Sequence, residues 1–207
     1  MSQPDWANLL EQCRRIIAGE PARQAIQAIC ALLRQSVGHY DWVGFYIADE
    51  GQAFLELGPY DGEPTEHTRI AFGRGICGQA AATKDIFVVQ DVSKEANYLS
   101  CGVNVKSEIV LPILGGYDGG RGEDCGQGQE TRRGGSQTVL AELDIDSNTP
   151  NAFGPRDRKF LKKVCQLVKP ALRTLCQTGE RGQREKAETS SIRNPHSAIR
   201  NKKGVAP

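Results

Sequence analysis

Residues 67–112 read HTRIAFGRGICGQAAATKDIFVVQDVSKEANYLSCGVNVKSEIVLP. Thr68-Arg69-Ile70 is extended, and the turn Gly73-Arg74-Gly75 then delivers Ile76 and Cys77 into a small-residue helix from Gly78 to Lys84. The β-branched run from Ile86 to Val89 predicts a strand. Asp91 to Asn104 is polar and aperiodic, and it carries a second cysteine, Cys101. Glu108 then heads an apolar strand from Ile109 to Leu114. The thiols and the carboxylate thus stand at turns, loops and strand ends, where a rigid scaffold commonly displays its chemistry.

Upstream, residues 5–18 and 21–37 read as two helices broken at Gly19-Glu20-Pro21. In the second, Ala22, Ile26, Ile29, Leu32/Leu33 and Val37 recur every three to four residues as one apolar stripe. Asp41 to Ala48 is a strand with Trp42, Gly44 and Tyr46 on one face and Val43, Phe45 and Ile47 on the other. Asp49-Glu50-Gly51 turns the chain, Ala53 to Leu57 returns it, and Gly58-Pro59-Tyr60-Asp61-Gly62 is expected to close it as a loop.

Downstream, Val139 to Asp146 is a strand whose alternation places Glu142, Asp144 and Asp146 on one face and Leu143 and Ile145 on the other. A last helix runs from Pro155 to Gly179 with a continuous apolar face from Phe160 to Leu175. Hairpin-connected strands with helices before and after them indicate an α+β fold, an antiparallel sheet with helices on one face.

Nine of residues 115–136 are glycine, without period, and the flanking strands need only a short turn to be joined. That segment reads as a flexible, dispensable insert. Residues 1–178 are then one domain, and 179–207 a disordered basic tail, with seven Lys/Arg against three Glu over 180–207. A solvated tail is the reading preferred to contact with nucleic acid or acidic lipid.

The whole chain has a net charge of +1 and 39% apolar residues. No apolar run approaches the ~20 residues of a membrane span, and the polar opening Met-Ser-Gln-Pro-Asp carries no leader pattern, so a cytoplasmic protein is expected. Seven cysteines in such a setting read as reduced thiols. Cys13, Cys30, Cys165 and Cys176 lie in predicted helices as small apolar residues, and Cys125 receives no role. No CxxC pair or Cys/His cluster has zinc-ligand spacing, so no metal site is expected.

DWVGFY at 41–46, LGPY at 57–60, FGRGICGQAAATK at 72–84, KSEIVLPI at 106–113 and LDIDS at 143–147 together resemble the GAF domains of the free methionine-(R)-sulfoxide reductase family. The resemblance spans roughly residues 20–175 apart from the insert. It implies a six-stranded antiparallel sheet with helices packed on one side and a ligand pocket on the other. It also implies thiol-dependent reduction of the free amino-acid sulfoxide, no bound cofactor, and thioredoxin as external reductant. By position, Cys101 matches the family's nucleophile and Cys77 the cysteine of the glycine turn. Glu108, Asp144 and Asp146 match the pocket carboxylates, and Trp42 and Tyr46 the pocket aromatics. His67 stands where the family carries a first cysteine, the usual disulfide partner of the nucleophile, and Tyr98-Leu99-Ser100 replaces its Gly-His context before Cys101.

The residues have a chemistry of their own. Buried carboxylates are the natural counter-charge for the ammonium of a free amino acid, each such hydrogen bond contributing about 1.5–3 kcal/mol. Clustered carboxylates repel, so at least one should hold its proton and be able to lend it to a sulfoxide oxygen as a thiolate attacks the sulfur. Taken singly, an acidic pair on a strand is a solvated sheet face, a strand tryptophan is core, and a helix-start cysteine is inert. The glycines around Cys77 do not match a phosphate loop. Two functions stay open: a reductase with Cys101 as attacker and Cys77 as resolving thiol, or a non-catalytic GAF module that binds a small ligand or senses redox state. A homodimer is compatible with either.

Overall fold

A computed structural model describes residues 4–99, 102, 104–117 and 137–178. Its elements in order are α1 (Trp6–Gly19), α2 (Ala22–Ser36), β1 (Trp42–Ala48), β2 (Phe54–Asp61), β3 (Arg69–Ala71), α3 (Gly75–Thr83), β4 (Phe87–Val89), β5 (Ser107–Tyr117), β6 (Gln137–Ser147) and α4 (Pro155–Thr178). The strands form one six-stranded antiparallel sheet in the order β3-β2-β1-β6-β5-β4. The expected α+β architecture is therefore observed. No helix among the described residues is long and apolar enough to cross a membrane.

The periodicities explain the two sides of the sheet. Val43, Phe45 and Ile47 of β1, Ile109, Leu111 and Ile113 of β5, and Leu143 and Ile145 of β6 all project to one face. There they meet the apolar stripes of α1, α2 and α4. The opposite set, including Trp42, Tyr46 and Val110, packs with Ile76, Cys77, Ala80 and Ala81 of α3. So three helices share one side, as expected, while the short α3 covers part of the other. Cys13, Cys30 and Cys165 are buried free thiols in the helical core. Burial pushes Cys13 up to about 11 and Cys165 up to about 12, which keeps both protonated.

Three expectations are corrected. The Gly58–Asp61 stretch is strand, because Gly58 and Pro59 together oppose Phe45 across a bulge and the ladder asks no N–H of the proline. Carbonyls freed there are taken by α2: Cys30 Sγ reaches Pro59 O at 3.5 Å and Gln27 Nε2 donates to Tyr60 O at 2.7 Å. Helix α3 begins at Gly75, so Cys77 sits inside its first turn. Strand β5 continues through Gly115 and Gly116 to Tyr117, which pairs with Gln137, so the insert expected from 115 starts three residues later. Residues 118–136, with Cys125, and the tail 179–207 lie outside the described residues.

Asp157, in the first turn of α4, ties that helix to the segment entering β1. Its carboxylate accepts from His39 Nε2 at 2.8 Å, Tyr40 Oη at 3.0 Å and Gly154 N at 2.9 Å. Burial alone would raise its pKa, but these hydrogen bonds outweigh burial and hold it below the ordinary carboxylate value. A depressed folded-state value stabilises above the unfolded pKa of about 3.9 and ceases to do so as pH falls through it. Asp157→Asn should cost about 1–3 kcal/mol at pH 7 and flatten the acid limb of stability below about pH 4. Chemical denaturation at pH 7 and at lower pH checks this, and equal losses at both would contradict it.

Because Tyr117 and Gln137 face each other, an Asn-Gly turn between them is geometrically a two-residue hairpin. Replacing 118–136 with Asn-Gly should leave the fold intact and gain up to about 2 kcal/mol of loop entropy. Thermal melts decide it; a fall of several degrees would show that the excised segment packs on the domain.

Candidate active site

Strand β6 lies in the middle of the sheet, between β1 and β5. While Leu143 and Ile145 enter the helical core, the residues between and beside them, Glu142, Asp144 and Asp146, turn to the α3 side. Across the β1 ladder, Trp42 faces Asp146, Gly44 faces Asp144 and Tyr46 faces Glu142. Across the β5 ladder, Glu108 faces Asp146 and Val110 faces Asp144. Pairing alone therefore gathers four carboxyl groups and two aromatic rings on one patch of the sheet.

These acids do not form a solvated face. Glu108, Glu142, Asp144 and Asp146 are 0–2% exposed. Among the described residues no N–H or O–H reaches either oxygen of Glu142 or Asp146, or Oε2 of Glu108. Burial raises Glu108 well above the ordinary carboxylate range, and the charges of Asp144, Asp146 and Glu142 raise it further, with the Cys77 thiol offsetting a little. Burial, then Asp144, does the same to Glu142, against a smaller lowering by the Cys77 thiol, and burial, then Asp144 and Asp41, to Asp146. Burial and mutual repulsion thus favour the protonated form of these carboxyls.

Cys77 is delivered to this cluster by the glycine turn. Gly73 and Gly75 adopt φ of +84° and +64°, values that side chains seldom tolerate, and a Cβ on Gly78 would overlap the Ala71 carbonyl. That close approach drops the first turn of α3 onto β5, with Cys77 Sγ 3.8 Å from Glu108 Oε1. A donor atom from each of Cys77, Glu108 and Asp144 lies within 4.8 Å of the other two. Sequence spacing offered no metal site, yet the fold brings three groups able to hold a cation together from residues far apart in the chain.

The aromatic wall is equally constrained. A Cβ on Gly44 or on Gly62 would overlap the Trp42 ring, so two glycines make the slot it fills. Trp42 stacks on Tyr60 at 5.3 Å between centroids and on Tyr46 at 6.3 Å. Its Nε1 donates to Glu63 O at 3.1 Å, and Tyr46 Oη donates to His67 O at 2.8 Å. Both aromatics therefore pin the segment 63–67 against the pocket. His67 contributes its backbone here, through that carbonyl and through its N–H to Thr65 Oγ1 at 3.1 Å.

The fold thus brings together Cys77, Trp42, Tyr46, Glu108, Asp144 and Asp146. Cys101, expected as the attacking thiol, lies outside the described residues. The loop leading to it is held at the Cys77 turn: Asn97 Nδ2 donates to Gly73 O at 2.9 Å, Asn97 Oδ1 accepts from Gly75 N at 3.1 Å, and Leu99 packs over Gly75. Sequence reasoning passed over Glu142, although strand alternation placed it on the right face. It also missed Tyr60, assigned to a loop, and Asn97, for which an aperiodic loop offers no signal. An open groove of about 360 Å³ at the end of the sheet, lined by residues including Gln52, Gly115, Arg173 and Cys176, does not reach the buried acids.

Comparison with known proteins agrees with this geometry. The GAF domain profile matches residues 21–172. Protein YtsP of Bacillus subtilis is 33% identical over 171 residues, 82% of this chain and 92% of that protein. The free methionine-R-sulfoxide reductase of Saccharomyces cerevisiae is 33% identical over 129 residues, 62% of this chain and 61% of that protein. The crystal structure of the free methionine-R-sulfoxide reductase of Neisseria meningitidis in complex with its substrate superposes with a TM-score of 0.67 at 27% identity, covering 86% of this chain and 96% of that one. With the sheet order, the pocket and the profile in agreement over most of its length, the chain belongs to the GAF domain family.

Proposed function

We propose that this GAF domain binds free methionine-(R)-sulfoxide and reduces it to methionine, with thioredoxin restoring the thiols. The observation that carries the reading is a thiol set among four buried carboxyls, with neither oxygen of Glu142 or Asp146 reached by an N–H or O–H among the described residues. Buried polar groups without partners are costly, and a cationic ligand relieves that cost. The ammonium group of a free amino acid supplies N–H donors to Asp146 and Glu142 and a positive charge to the whole carboxyl cluster. Trp42 bounds the pocket as an apolar wall for a methyl group. The relationship to reductases, one of them solved with its substrate, supports the same assignment.

In the reaction, the Cys101 thiolate attacks the sulfoxide sulfur and the oxygen passes to the cysteine, releasing methionine and leaving a sulfenic acid. Glu108 passes a proton to the sulfoxide oxygen as it transfers to the cysteine, a role supported by its position beside Cys77. Cys77 then condenses with the sulfenic acid, giving a disulfide and water, and a dithiol reductant exchanges the disulfide back to two thiols. Cys77 takes the resolving role because His67 occupies the position of the family's usual partner cysteine. A second reading, a ligand-binding module without turnover, is favoured by that His67 and by the burial of Cys77, which is 4% exposed.

Buried charge kept for a ligand should be dispensable for folding. Glu142→Gln and Asp146→Asn are each expected to raise the melting temperature by a few degrees, about 1 kcal/mol. The same variants should weaken binding of free methionine sulfoxide by about ten- to a hundredfold. Scanning and titration calorimetry measure both; unchanged affinity with lowered stability would return these acids to a purely structural role.

The thiols are separated by single turnover without reductant. Cys101→Ser should release no methionine. Cys77→Ser should release a single equivalent and stall with a sulfenic acid trappable by dimedone. His67→Cys should accelerate the thioredoxin-linked cycle. Full release by Cys101→Ser would remove that residue from the chemistry, and ligand binding without release by the unmutated chain would establish the binding module.

A further inference from the structure

The Cys77 cluster is suited to a ligand other than an amino acid. Cys77 Sγ, an oxygen of Glu108 and an oxygen of Asp144 stand within 4.8 Å of one another, all on buried residues. Donors on a tetrahedral zinc ion, bonded at 2.0–2.3 Å, are about 3.5 Å apart, close to the 3.8 Å between Cys77 Sγ and Glu108 Oε1. A second observation points the same way. Glu108 is buried, and its Oε2 is reached by no N–H or O–H among the described residues. That oxygen stands open to a cation held beside the Cys77 thiol.

The donor types select the cation. Hard magnesium or calcium takes six or more oxygens, whereas a thiolate with two carboxylates suits a borderline divalent ion. An ammonium group gains nothing from the thiol; a zinc ion bonds it as thiolate, displacing its proton to solvent. We propose that Cys77, Glu108 and Asp144 form a binding site for a zinc-class divalent cation that occupies the amino-acid pocket and masks the Cys77 thiol. Such a site would couple the domain to free zinc as well as to oxidised methionine. It holds whether or not the pocket catalyses reduction.

Cobalt(II) serves as the visible probe, added to the reduced, chelator-treated full chain. One equivalent should bind with a thiolate-to-cobalt charge-transfer band, and zinc should displace it. Cys77→Ser should abolish the band and weaken zinc binding at least about tenfold, Glu108→Gln should weaken it about as much, and Cys176→Ser should leave band and affinity unchanged. Free methionine sulfoxide should raise the apparent dissociation constant of cobalt, since both ligands fill one pocket. A thermal melt of each variant confirms folding, and Glu108→Gln keeps the test open should Cys77→Ser fail to fold. Absence of cobalt binding, a spectrum without thiolate charge transfer, or an undiminished band in Cys77→Ser would overturn the site. Methionine release by the chelated protein is scored separately. Release without cobalt binding removes the metal site alone, and cobalt binding without release removes the reductase reading alone.

Discussion

Four carboxyl groups buried on one patch of a sheet are the constraint around which this molecule is arranged. Isolated buried charge costs several kcal/mol per ion, and neighbouring charges of one sign add to the cost. Part of that cost is relieved because burial and mutual repulsion raise the carboxyl pKa values and favour the neutral acids. The remainder falls on the opposite face, where Ile109, Leu111, Leu143, Ile145 and their neighbours pack against α1, α2 and α4. One side of the sheet supplies stability, and the other carries the buried acids.

Backbone devices hold the pocket open to chemistry. The glycine pair Gly73 and Gly75 turns the chain into α3, and Gly78 lets that helix approach closely enough to place Cys77 beside Glu108. Gly44 and Gly62 carve the Trp42 slot. Asn97 joins the polar loop to the same turn through two hydrogen bonds. Sites made this way depend on backbone shape as much as on the reactive side chains, since each glycine is required by a contact or by its φ.

Much of this was legible in the chain. Period-two alternation correctly divided Trp42, Gly44 and Tyr46 from Val43, Phe45 and Ile47, and Glu142, Asp144 and Asp146 from Leu143 and Ile145. Alternation cannot tell whether a polar face meets water or another layer, so the acids alone read as solvated, and only their place beside the other motifs suggested a pocket. Gly58-Pro59-Tyr60-Asp61 misled because turn-forming residues can also occupy a bulge within a strand. Glu142 was on the right face but lacked a motif to single it out. The cation-sized approach of Cys77, Glu108 and Asp144 was illegible, because it is created by strand register and one helix turn, not by spacing along the chain.

The central claim is that the buried carboxyls exist to receive a positively charged amino group. It is tested most directly by comparing free methionine-(R)-sulfoxide with its N-acetyl derivative, which keeps the sulfoxide and loses the charge. Calorimetric titration of the reduced protein should find the free amino acid bound and the acetylated one weaker by about a hundredfold or more, the loss of charge-assisted hydrogen bonds of about 3 kcal/mol. Equal affinity for the two compounds would contradict the account.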